Sequence, residues 1–148
     1  MDIKIEGFVE TNANYMRTAL NLRYEIFTEE FKIDKYYEFD GLDKDATHYL
    51  MFVDMLPVGV ARWRKVNNEL FIDRFGIHTN YRNKGFAFLF LKYIINELLP
   101  SKLPIYLLGF PGNKNFHDFV GFTEIVEEME QGGITFIKLK YHYKETYG

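Results

Sequence analysis

Apolar residues recur along this chain at two spacings. Some stretches alternate apolar and polar at every second position, as half-buried strands do, and others repeat at every third or fourth, as helices do. Ile3 to Val9 alternates and predicts a strand. Thr11 and Asn12 are capping residues for a helix, in which Met16, Leu20, Tyr24, Phe27 and Phe31 fall on one apolar face. Lys32 to Asp45 is polar, acidic and aromatic and reads as a loop. His48 to Met55 predicts a strand, Leu56-Pro57 a turn, and Gly59 to Val66 a second strand. Asn67-Asn68 is a hairpin turn leading into a strand over Leu70 to Ile77. Thr79 and Asn80 mark a further turn before a helix from about Gly85 to Leu99. Pro100 stops that helix, because the residue before a proline avoids the helical region. Its only polar stripe is Lys92, Asn96 and Glu97, so it should lie buried against a sheet. Pro104 to Leu108 is a short strand, Gly109 to Gly112 a loop, and Asn115 to Val120 one or two helical turns. Thr123 to Met129 and Ile134 to Tyr141 close the chain as a hairpin around Gln131-Gly132-Gly133. Helices and strands alternate throughout, which predicts a mixed α/β architecture in one domain over residues 1–148.

Composition narrows the chemistry. At 148 residues with 47% hydrophobic content, the chain can bury a full core without a staple. It has no cysteine, which excludes disulfides, thiolate metal sites and a cysteine nucleophile, and fits a cytoplasmic location. A net charge of −3 does not suit a protein that coats nucleic-acid phosphates. The charged start Met1-Asp2-Ile3-Lys4-Ile5-Glu6 does not read as a signal peptide. The longest apolar run, Phe86 to Leu91, ends at Lys92, far short of a membrane span of about 18 residues. The four histidines lack metal-ligand spacing, so no metal is expected. The aromatic residues read mostly as core, without the basic interleaving of a single-strand-binding platform.

The candidate chemistry lies where a strand, a basic glycine turn and a long helix follow one another over Leu70 to Leu99. A helix start offers unpaired N–H groups and a partial positive charge, which together bind phosphates. Gly85 lets the backbone approach a ligand, and Arg82 and Lys84 bring charge beside it. The plain alternative is a polar turn ahead of a buried helix. A Walker A loop needs Gly-Lys-Ser/Thr, whereas Lys84 precedes Gly85 and Phe86 follows it; the G-x-G-x-x-G dinucleotide fingerprint is absent.

Arg82-Asn83-Lys84-Gly85-Phe86-Ala87 resembles the Q/R-x-x-G-x-G/A signature of the GCN5-related N-acetyltransferases, the GNAT family. Arg74-Phe75-Gly76-Ile77-His78 stands where that family has the strand before its pyrophosphate loop. Arg23-Tyr24-Glu25-Ile26-Phe27 is similar to the R-x-x-V-F helix of an ElaA-like branch. Glu38-Phe39-Asp40-Gly41-Leu42-Asp43, Ala46-Thr47-His48 and Gly59-Val60-Ala61-Arg62 follow that branch in order.

The resemblance implies a mixed, mostly antiparallel sheet with splayed middle strands flanked by helices, and acetyl-CoA as co-substrate. It implies that the amides of Arg82, Asn83, Lys84, Gly85, Phe86 and Ala87 bind the pyrophosphate of coenzyme A. Pantetheine would then pair along Phe75, Gly76 and Ile77 like an added strand, beside a bulge near Gly76. The acceptor would be the amine of a small molecule or a peptide, and the resemblance also allows a homodimer. The family usually supplies its acid as a Tyr in F-Y-x-x-x-G-F. Here the matching run is Phe116-His117-Asp118-Phe119-Val120-Gly121-Phe122, so His117 stands in the place of the Tyr. Phe110 and Asn113 replace the Asn and Ala that usually precede it. An imidazole can donate a proton near neutrality; the alternative for His117 is a residue behind the site or on the surface. Glu38 and Asp40 are candidates to draw in a cationic amine or act as base through water. Their alternative, and the stronger reading for Asp43, is pairing with Arg23 and Arg62. His48 reads as a buried core residue, with a substrate role left open by the resemblance. Asp73 and Arg74 read as pointing to opposite faces of their strand, with Asp73 in a salt bridge rather than acting as a base through water. Three other functions remain open on the residues alone: an acyl-homoserine-lactone-synthase-like acyltransferase, a non-catalytic coenzyme A-binding module and a plain interaction domain.

Overall fold

The computed structural model describes residues 1–33, 40–131 and 133–143, without side-chain detail for residues 114, 115 and 131. Seven strands form one sheet in the order β1-β2-β3-β4-β5-β7-β6: β1 Ile3–Phe8, β2 Thr47–Val53, β3 Leu56–Val66, β4 Glu69–Ile77, β5 Ile105–Gly109, β6 Phe122–Gln131 and β7 Ile134–Tyr141. Neighbours are antiparallel except β4 and β5. Parallel neighbours need a crossover, and here it is the helix α2, Phe86–Leu98. The fold is the mixed α/β sheet expected from the alternation of patterns.

Helix α2 buries Phe86, Phe90, Leu91, Ile94, Ile95 and Leu98. At helical spacing these share one face, which packs on Met51, Ala61, Ile72, Ile105 and Leu139 of the sheet. Each such side chain contributes about 1.5–3 kcal/mol by leaving water. Helix α1, Ala13–Arg23, covers the other face through Met16, Ala19 and Leu22, against Leu50 and Val60. Asn12 caps it by accepting from the Tyr15 N–H at 3.2 Å. A short helix α3, Lys114–Val120, precedes β6.

Three local features differ from the periodicity. The β2–β3 turn is Asp54-Met55, both at positive φ (49° and 71°), and Leu56-Pro57 already belongs to β3. Positive φ at both central positions matches the right-handed twist of a hairpin, the same device used at Asn67 and Asn68. Next, the helical spacing from Met16 to Phe31 hides a change of winding, because Tyr24–Glu30 is a π-helix. Last, Val60 pairs with Gly76 but Arg62 pairs with Asp73, so Arg74 and Phe75 together oppose Ala61 in a bulge, with Arg74 at φ 49°. This bulge defeats simple alternation. Asp73 and Arg74 turn toward one another, with Arg74 Nη1 4.0 Å from Asp73 Oδ2, rather than to opposite faces.

Beyond the bulge the sheet opens. Strands β4 and β5 pair only over Leu70–Ile72 and Ile105–Leu107, after which β5 follows β7 through Leu108 and Gly109. His78 N–H donates to Val58 on the β3 side at 2.7 Å. By strand alternation Phe75 and Ile77 therefore present their backbone groups to the opening.

Candidate active site

The opening is continuous with the start of α2. Gly85 is the N-cap of that helix at φ 84°, and Asn83 is also left-handed at φ 61°. A glycine cap has no side chain to fill the first turn, and a Cβ placed on Gly85 would meet nothing within 4 Å. The helix-start amides of Phe86, Ala87 and Phe88 thus lie open to a ligand, with the positive end of the helix dipole behind them. The Phe86 side chain is buried beside Tyr81, so only its backbone can serve a ligand. Lys84 is exposed, its ammonium 5.7 Å from the Tyr81 ring. Arg82 is placed otherwise than its charge suggests. It donates from Nε to the Ile77 carbonyl at 2.8 Å and grips Glu30 with both terminal nitrogens.

One cavity of about 530 Å³ joins these parts. Phe75, Gly76, Ile77, Arg82, Asn83, Gly85 and Ala87 line it, and so does His117 from α3. Phe31, Phe88, Phe110, Asn113 and Phe116 complete the wall. Phe75 stacks with Phe116 at 6.5 Å between centroids, and Phe110 lies 5.0 Å from Phe31 and 5.2 Å from Phe136. Phe31 and Phe88 carry no sequence signal, since each reads as one more aromatic on an amphipathic helix. Phe110 and Asn113 were marked by their departure from the usual Asn and Ala.

His117 is only 4% exposed. Its ring covers Gly109 so closely that a Cβ there would fall 2.4 Å from Cε1, so Gly109 is the seat of the imidazole. It therefore belongs to the cavity wall and not to the surface.

The carboxylates near the bulge form a different structure. Arg62 is fully buried and bonds Asp73 through Nε to Oδ1 at 2.8 Å and Nη2 to Oδ2 at 2.7 Å. It bonds Asp40 at 2.9 and 2.8 Å and Asp43 at 3.0 Å. Asp43 also accepts from Arg23 at 2.8 Å, and Asp40 from Arg74 at 3.3 Å. Burial alone would push the Asp40 carboxyl up. The Arg62 bonds, the Leu42 N–H and Arg74 outweigh it and hold the group well below the usual carboxylate range. Asp43 is likewise lowered against its burial, chiefly by Arg23 and then Arg62. Carboxylates held this firmly ionised are weak bases. Glu38 lies outside the described residues. His48 is buried, with Nε2 donating to the Asp43 carbonyl at 2.9 Å, and burial pushes its imidazole pKa down.

The split of the sheet, the open helix start and the aromatic walls meet in one cavity, a shape that suits an extended ligand with an anionic group. Residues 7–143 match the acetyltransferase (GNAT) domain, and the chain belongs to that family as an acyltransferase that uses acetyl-CoA. A Bacillus subtilis (strain 168) protein provisionally named an acetyltransferase is 29% identical over 130 residues, 84% of this chain and 87% of that one. ElaA of Escherichia coli has a similar fold, with TM-score 0.84 and 21% identity over 95% of this chain and all of that one (100%). A GNAT family acetyltransferase of Elizabethkingia anophelis, solved with acetyl-CoA bound, is also similar: TM-score 0.69, 14% identity, 95% of this chain and 98% of that one. The family match decides against a plain interaction domain. The residues here fit the coenzyme: the start of α2, with no side-chain cap, would suit a diphosphate, and the edge of β4 at Phe75 would suit an amide-bearing arm.

Proposed function

We propose that this chain moves the acetyl group of acetyl-CoA directly to the amine of a small molecule or a peptide. The observation that carries the reading is the single cavity that joins the phosphate-type loop, the free edge of β4 and His117. Acetyl-CoA supplies an activated thioester; the chain supplies the rest. The Asn83–Phe88 backbone binds the diphosphate, with Lys84 adding charge from the rim. Phe75 pairs its outward backbone groups, and Ile77 its N–H, with the pantetheine amides, as in strand addition, while the Ile77 carbonyl stays with Arg82. Phe31, Phe110 and Phe116 exclude water from the reacting end. A backbone N–H near Ile77 donates to the acetyl oxygen as it gains charge. The His117 imidazole gives a proton to the departing sulfur. Asp40 acts as a scaffold for Arg62 and Arg74, and the acceptor loses its proton to water or to Glu38.

The test is a panel of primary amines and short peptides with acetyl-CoA, read by release of the coenzyme thiol and by the mass of the product. At least one acceptor should be acetylated at a rate tens of times that of thioester hydrolysis. Coenzyme binding with no acetylated acceptor across the panel would favour the non-catalytic module.

A further inference from the structure

The π-helix Tyr24–Glu30 sets two carboxylates on the segment that follows β4. Phe31 N–H bonds the Ile26 carbonyl, five residues back, at 3.1 Å. In an α-helix, residues five apart diverge by about 140° around the axis. Winding with bonds to the fifth residue brings them back to one side. Glu25 and Glu30 are five apart, and both meet the same segment. Glu25 Oε2 lies 3.7 Å from His78 Nε2, while Glu30 Oε1 accepts from Arg82 Nη2 at 2.6 Å and Oε2 accepts from Nη1. The Arg82 guanidinium carbon also stands 5.2 Å from the centroid of the Phe31 ring, which is part of the cavity wall.

Arg82 is the first residue of the phosphate-type loop, yet its fork is spent on Glu30 and the Ile77 carbonyl. A bidentate carboxylate pair with a third, backbone anchor is the kind of part-exposed ion pair that holds its geometry. We propose that Glu30 and Arg82 are positioning residues that form a latch. It ties the end of β4 to the π-helical wall, closes the Ile77 carbonyl to any incoming strand-like arm, and withholds the Arg82 charge from the coenzyme diphosphate. The inference rests on the cavity being the coenzyme A site. It makes the backbone amides, with Lys84, the diphosphate ligands, and Arg82 the link between the coenzyme loop and the wall opposite.

The test uses the full chain as wild type, Glu30→Gln and Arg82→Gln. Coenzyme A is titrated by calorimetry at two salt concentrations, and amide hydrogen exchange is followed over residues 24–33. In Glu30→Gln the freed guanidinium turns to the diphosphate. Coenzyme A then binds about two- to fivefold tighter at low salt, with a steeper salt dependence, as one more cation joins the site. Exchange over residues 24–33 rises in both variants, and Arg82→Gln shows no gain in affinity. A merely structural role would weaken binding in both variants alike. Unchanged or weaker coenzyme binding in Glu30→Gln, or unchanged exchange in either variant, overturns the latch. If the wild-type chain does not bind coenzyme A, the reading of the cavity fails, and the exchange comparison still decides whether the latch exists.

Discussion

Two charged regions flank the split between β4 and β5, and they are built in opposite ways. Around Arg62 three carboxylates converge on one buried guanidinium, and Arg23 and Arg74 complete the pairing. At the start of α2 the donors are backbone amides with a glycine cap and no side chain closing the turn. In the first region charge is compensated inside the protein, so it can fix the bulge but cannot recognise anything. In the second, compensation is left to a ligand. Acidic residues near a cleft invite a catalytic reading; here their arginine partners argue against it, and the reading proposed above puts the chemistry in the region with fewer charged side chains.

The largest effect should come from breaking the first region. Arg62→Met leaves Asp73 and Asp40 without their main partner and should cost about 3–5 kcal/mol of stability. That is a fall in Tm on the order of 10 °C for a domain of this size. Coenzyme binding by the folded fraction should change much less. A variant of normal stability that no longer bound coenzyme A would reverse the two assignments.

His117→Phe tests the second region. It keeps an aromatic ring on Gly109 but removes the donor, so kcat should fall about 100-fold with coenzyme A affinity within about threefold. Unchanged turnover would remove His117 from the mechanism. His117→Tyr offers a phenol at the same place and should recover part of the lost rate.

The smallest effect is on pH. The His48 imidazole has a depressed pKa because burial penalises its charge, and its Nδ1 has no hydrogen-bond partner among the described residues to receive a second proton. The unfolded chain takes up that proton below about pH 6.5, and the folded chain resists it. Stability should therefore decline as pH falls below that value. The lowered Asp40 and Asp43 carboxyls add stability that is present above their unfolded value of 3.8 and is lost as pH falls toward their folded values. Both act in the same direction, toward acid lability. Chemical denaturation of wild type and His48→Gln between pH 7.5 and 5 separates them. Gln can still donate to the Asp43 carbonyl, so the variant should lose less stability over this range. Parallel curves would show that another group titrates.

The order of elements was legible because apolar periodicity and turn chemistry agreed at nearly every boundary, from the Asn12 cap to the Asn67-Asn68 hairpin. The loop proposed to hold the coenzyme stands out in the sequence because a glycine, a helix start and a preceding strand form a local signal, and the structure has Gly85 as the left-handed cap of that helix. What the sequence could not reveal was non-local. The bulge at Arg74 and Phe75 depends on pairing with β3, and the π-helix on packing against Gly76, where a Cβ would stand 3.1 Å from Ile26 Cγ2. For the same reason, the Arg82 side chain reads as a phosphate ligand until Glu30, 52 residues away, is seen beside it.

The most direct test of the coenzyme site is calorimetric titration of acetyl-CoA into the wild-type chain and into Gly85→Glu. Position 85 is left-handed and open, so a Glu there costs only about 1–2 kcal/mol of backbone strain, yet it puts a negative charge where the diphosphate should lie. The wild type should bind, and the folded variant should lose binding at least tenfold. Equal affinity in the two proteins would contradict the account, because the start of α2 would then not be the place where the coenzyme is held.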